Sequence, residues 1–166
     1  MIFMWYLSNE EAKDWCLGRG LQLDEESRPV ITTRTHCITK SLTQLKPLRL
    51  TWMSRWIAEY LKPFDECLMW ITLWDVWNSS ENFHLYYRLR ESYGDRRQLS
   101  KAPGHLFGNY ETSDLATFIE LALIFGWDFY LLTSPEYQTA FVSHDEFMQL
   151  CTNNSSAAED AEALKT

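Results

Sequence analysis

No apolar run in the 166 residues reaches the length of a membrane-spanning helix. The opening MIFMWYL has seven residues, lacks a basic lead-in and runs straight into Ser8-Asn9-Glu10-Glu11, so a secretory signal is not expected. The chain is expected to stay in the cytoplasm. It also lacks any CxxC pair. Cys16, Cys37, Cys67 and Cys151 are scattered, and in a reducing compartment they read as buried thiols, not as a disulfide frame or zinc site. A basic excess is missing too. The net charge of −8 argues against general nucleic-acid affinity, which depends on neutralising phosphates. It suits a soluble protein or one that meets a basic protein partner.

Catalytic signatures are equally sparse. There is no G-x-S-x-G elbow, P-loop, HExxH or dinucleotide fingerprint. His36, His84, His105 and His144 share no metal-like spacing, so no metal and no cofactor is expected. His36 and Cys37 are adjacent in a strand-like stretch and would point to opposite faces, which rules them out as a catalytic pair. His144, beside Asp145, fits a capping role at a helix start.

What the chain has in excess is aromatic residues, 15% of the total, with 8 Trp, 8 Tyr and 9 Phe. Such an excess builds a bulky core or a contact surface. Charge is also unevenly spread: residues 1–28 sum to −3, 29–66 to +3, 67–105 to +1 and 106–166 to −9.

Along the chain, residues 2–7 predict a strand. Ser8 and Glu11 form a capping box for a helix over 9–17 that buries Ala12, Trp15 and Cys16. Pro29 opens VITTRTHCI, a β-branched strand candidate. Residues 49–62 predict an amphipathic helix whose stripe holds Trp52, Met53, Trp56, Ile57, Tyr60 and Leu61, read as core. ECLMWITLWDVW (66–77) reads as a strand buried on both faces, at or near the sheet centre. Asn78 and Glu81 cap a helix running to Tyr93. Residues 94–111 read as irregular. A helix starts near Thr112 and ends at Gly126, apolar nearly all round. DFYLLT (128–133) and QTAFVS (138–143) predict two strands, and Ser143 with Glu146 predicts a short helix over DEFMQL.

Alternating strands and helices give an α/β class, with α+β as the alternative: one domain over 1–151, a mixed sheet of about five strands covered by helices, and 152–166 as a loose acidic tail.

The stretch WDVWNSSENFHLYYRLRESYGD (74–95) sits where α/β proteins often place their sites, beyond the carboxyl end of a central strand. Three readings compete. In the structural one, Asn78 and Glu81 cap the helix, Leu85, Tyr86, Leu89 and Tyr93 form its packing stripe, and Arg88, Arg90 and Glu91 face solvent. In the binding reading, Trp77, His84, Tyr87, Arg88 and Arg90 form a protein contact surface of the residue types that dominate hot spots. The acidic C-terminal region is a second candidate surface. In the third, a crevice near Asp75, Ser80, Glu81, His84 and His105 serves a small ligand or a hydrolase-type enzyme.

The runs VWNSSENFHLYYRLRESYGD (76–95), APGHLF (102–107), GWD (126–128) and SHDEF (143–147) resemble a group of small uncharacterised bacterial proteins. That resemblance implies a bacterial cytoplasmic origin and a shared fold, and it supplies no catalytic residues. In size, acidity and aromatic content the chain is also similar in type to immunity proteins that neutralise bacterial toxins. The expected function is binding of another protein, a basic toxin domain above all, with no nucleic acid, no membrane and a homo-oligomer as a further option.

Overall fold

A computed structural model describes residues 4–43, 47–74, 83–135 and 138–165, with the backbone alone at 47 and 48. Strand β1 (Trp5–Leu7) is followed by helix α1 (Asn9–Gly18). The capping box forms as expected: the Glu11 amide donates to Ser8 Oγ at 3.3 Å, and the Ser8 amide donates to Glu11 Oε2 at 2.7 Å. Strand β2 (His36–Ser41) starts later than Pro29, because residues 32–35 form turns and bends. Helix α2 (Pro47–Tyr60) leads to strand β3 (Glu66–Leu73), and helix α3 (Phe83–Ser92) follows. The expected cap at Asn78 and Glu81 lies outside the described residues.

Residues 94–111 are less irregular than expected. They contain a 3-10 turn (Leu99–Lys101) and strand β4 (Gly104–Gly108). Gly104 is where β4 meets β1 closely: a Cβ there would stand 3.0 Å from that of Leu7. Helix α4 (Thr112–Phe125) ends on Gly126 at φ 64°, the left-handed cap that glycine adopts without strain. Its apolar circumference is not fully covered, since Ile124 remains 51% exposed. Strands β5 (Asp128–Ser134), β6 (Gln138–Ser143) and β7 (Phe147–Thr152) come next. The expected helix over DEFMQL is thus mostly β7. Alternation of Met148 and Leu150 with Gln149 wins over the local capping pattern, and residues 144–146 form the turn of a hairpin to β6.

The strands form one sheet of seven, in the order β1-β4-β3-β5-β6-β7-β2, and every pairing is antiparallel. This replaces the expected mixed sheet of about five strands. β3 lies third and carries side chains to both faces. Cys67, Met69 and Ile71 join the larger core beneath α2, α3 and α4, while Leu68 and Trp70 join a second core beneath α1. α1 is tied down by Trp70 Nε1 donating to Asn9 Oδ1 at 3.0 Å and Trp15 Nε1 donating to Glu66 Oε2 at 3.1 Å.

Two further expectations are corrected. The register sets Cys37 opposite Cys151, with Cα atoms 4.2 Å apart, and the two form a disulfide; Cys16 and Cys67 remain buried thiols. A separation of 114 residues hides this neighbourhood from any reading of cysteine spacing. The residues read as a loose tail form helix α5 (Ser155–Ala163). Asn154 caps it by accepting from the amides of Ser156 and Ala157, and Lys40 Nζ donates to the Glu162 carbonyl at 2.7 Å. Ala157, Ala161 and Leu164 pack into the larger core, while Glu159, Asp160 and Glu162 stay exposed. A short helix with few apolar residues is marginal alone and gains its order from docking.

Candidate functional site

Of the expected contact and crevice residues, Asp75, Trp77, Ser80 and Glu81 lie outside the described residues. His84 and Arg88 are exposed on α3. Tyr87 is half-buried, its hydroxyl accepting from the Leu99 amide at 3.1 Å and its ring edge-on to Tyr86. Arg90 and His105 are both 0% exposed. Neither belongs to a surface or a crevice, and the reason is a buried polar network.

α3 turns Phe83, Tyr86, Tyr87, Arg90 and Tyr93 toward the sheet, and Leu85 is left 54% exposed. The inner face therefore follows 83, 86, 87, 90 and 93, with Arg90 in place of an apolar residue. Its guanidinium donates to Asp95 Oδ1 at 3.2 Å and to Tyr86 Oη at 3.0 Å, and lies 4.4 Å from the Tyr6 ring centroid. Asp95 also accepts from Arg97 Nε at 2.8 Å and from the Arg97 amide at 2.7 Å. Burial alone would raise its carboxyl, but the hydrogen bonds of Arg97 and the charges of Arg90 and Arg97 outweigh it and hold Asp95 below the usual range.

His105 Nδ1 lies 3.0 Å from the Pro103 carbonyl, which can only accept, so Nδ1 carries the proton. Nε2 must then accept, and Tyr86 Oη donates to it at 2.6 Å. Burial, with the nearby Arg90 charge, pushes His105 down to about 3 and keeps it neutral. The chain of donors from Arg90 through Tyr86 to His105 locks α3 onto β4. It holds the fold, and its members have no open side for a ligand.

A different place has one. α2, α5 and Gln138 at the start of β6 line a groove of about 920 Å³. Within α2, the i, i+4, i+8 set Trp52, Trp56 and Tyr60 drifts by about 40° per step, because four residues exceed one turn of 3.6. Tyr60 therefore points inward, Trp56 is half-buried and Trp52 is 48% exposed. Trp56 stacks on Tyr60, with centroids 5.4 Å apart and planes at 12°. Tyr60 is only 8% exposed and Gln138 3%, yet among the described residues Tyr60 Oη and Gln138 Oε1 have no hydrogen-bond partner, and both residues line the groove. Burial pushes the Tyr60 hydroxyl up, so it stays protonated.

Sequence reasoning placed Trp52 and Trp56 in the core. The available signal was angular: at about 100° per residue Trp52 stands about 140° and Trp56 about 100° around the helix from Ile57, while Met53 and Leu61 stand within about 40° of it. The other wall, α5, had none until it was docked.

Among the described residues no helix is long and apolar enough to cross a membrane. No family model matches the chain, and no curated protein or solved structure matches it.

Proposed function

We propose that this chain acts by binding another protein, as a small immunity protein neutralises a basic toxin by direct contact. The observation that carries the reading is the groove between α2 and α5. Two buried polar atoms, Tyr60 Oη and Gln138 Oε1, have no partner among the described residues, and their residues line the groove together with the exposed Trp52 and half-buried Trp56. Each buried polar group left without a partner costs on the order of 1–3 kcal/mol, so the free protein carries a cost that an occupant removes. Exposed tryptophan around a site that loses its water is the composition of a binding hot spot. The net charge of −8 favours encounter with a basic partner. The exposed His84 and Arg88 of α3 form a separate surface.

The test is capture by the tagged chain in its native host, with a moderate-salt wash and mass spectrometry, beside a Trp56→Ser variant of unchanged circular dichroism. The expected result is one basic protein in stoichiometric amount, lost with Trp56→Ser. Capture that is insensitive to Trp56→Ser, or a chain recovered alone, refutes the reading.

A further inference from the structure

We infer that the α2–α5 groove is a subsite for an arginine side chain, presented by a basic segment of the partner; this rests on the protein-binding reading above. The two unpartnered groups decide the chemistry. Gln138 Oε1 can only accept, so its occupant must donate. A carboxylate or phosphate brings acceptors alone and leaves that oxygen unsatisfied. A hydrocarbon leaves both Gln138 Oε1 and Tyr60 Oη unsatisfied. Of the two permanently cationic side chains, lysine and arginine, arginine is the one with a flat face, and that face stacks on indole rings such as those of Trp52 and Trp56. A guanidinium carries five N–H groups, donors enough for the amide oxygen, the phenol oxygen and a carboxylate. A carboxylate is at hand: Asp160 of α5 lines the groove and is exposed.

Cations of the protein also line the groove. Lys62 Nζ is held by Glu59 Oε1 at 2.8 Å, so its charge is already matched. Arg49 and Lys165 are exposed, so water and salt screen their charges. Tyr60 and Gln138 are the desolvated polar residues of the lining, and the Gln138 amide oxygen calls for a donor.

The experiment titrates acetyl-Gly-Arg-Gly-amide into the full chain, followed by indole fluorescence and by the NMR signals of the tryptophan side-chain N–H groups. The comparison probes are the citrulline peptide, which keeps the shape and removes the charge, the lysine peptide, and cellotriose as a neutral polyhydroxyl. The arginine peptide is expected to bind about tenfold more tightly than citrulline or lysine. Tyr60→Phe, which removes the hydroxyl alone, and Asp160→Asn, on an exposed position, are each expected to weaken it several-fold. Equal binding of citrulline, preference for cellotriose, or no loss in both variants overturns the inference. The probes meet the chain without any partner, so the two proposals fail separately. A Trp56-dependent partner with a groove silent to arginine overturns only the subsite. Arginine binding with no partner captured overturns only the function.

Discussion

Asp95→Asn is expected to destabilise the protein more than Arg90→Met, although both break the same ion pair. Arg90 is fully buried, and Asp95 is its only carboxylate partner among the described residues. Removing the carboxylate's charge leaves the guanidinium facing a neutral His105, the hydroxyl of Tyr86 and two rings. An uncompensated buried charge of this kind costs about 3–5 kcal/mol. In the reverse substitution, Asp95 keeps the side chain and amide of Arg97, and Tyr86 keeps its bond to His105. What Arg90→Met loses is two charge-assisted hydrogen bonds, to Asp95 and Tyr86, and the ring contacts with Tyr6 and Tyr86, offset by removal of a desolvated charge, about 1–2 kcal/mol net. The double variant should resemble Arg90→Met alone, because the charge that makes Asp95→Asn costly is gone. Urea unfolding at pH 7 measures all three without screening the pair. In thermal scans, the Asp95→Asn loss corresponds to a Tm drop of roughly 6–20 °C for a chain of this size. Equal costs for the two single variants, or simple additivity in the double, would refute the account of this network.

Acid should destabilise the protein through His105. The unfolded chain protonates this histidine below about pH 6.5, while the folded one resists until about 3, so unfolding takes up a proton and stability falls as pH drops, by about 1.4 kcal/mol per unit. Urea titrations between pH 6.5 and 5, where carboxylates remain ionised, should show this slope, and His105→Gln should flatten it. A parallel slope in the variant would sink the assignment. His144 has the opposite sign and a higher window: hydrogen-bonding to Asp128 raises it, so its stabilisation is complete below about 6.5 and fades as pH rises through the folded value. The Cys37–Cys151 bridge closes a loop of 114 residues, for which chain entropy gives stabilisation of up to about 5 kcal/mol. Cys37→Ser should lower the urea midpoint accordingly, and thiol counting on the unfolded, unreduced wild type should find two free cysteines; four would refute the bridge.

Local patterns announced much of the secondary structure. The Ser8–Glu11 box placed α1, the line Met53–Ile57–Leu61 placed the buried side of α2, and the unbroken apolar run from Cys67 placed β3 on both cores. These are short-range decisions, made by caps and by side-chain periodicity within one element. The candidate site was decided elsewhere. Arg90 looked like a solvated residue because its partners Asp95, Tyr6 and His105 come together only when α3 docks on β1 and β4. Trp52 and Trp56 looked like core because a helical stripe does not say how much of its width the sheet will cover. Gln138 carried no signal, since burial without a hydrogen-bond partner is a property of its surroundings. α5 gained its structure from Ala157, Ala161 and Leu164 meeting a core assembled from the rest of the chain, and β2 found β7 across more than a hundred residues. Sequence by itself determined which segments extend or coil and which faces seek burial. Tertiary structure alone decided which polar groups find partners and which two stand unpartnered in a groove, because desolvation depends on what packs above a residue, not on what precedes it.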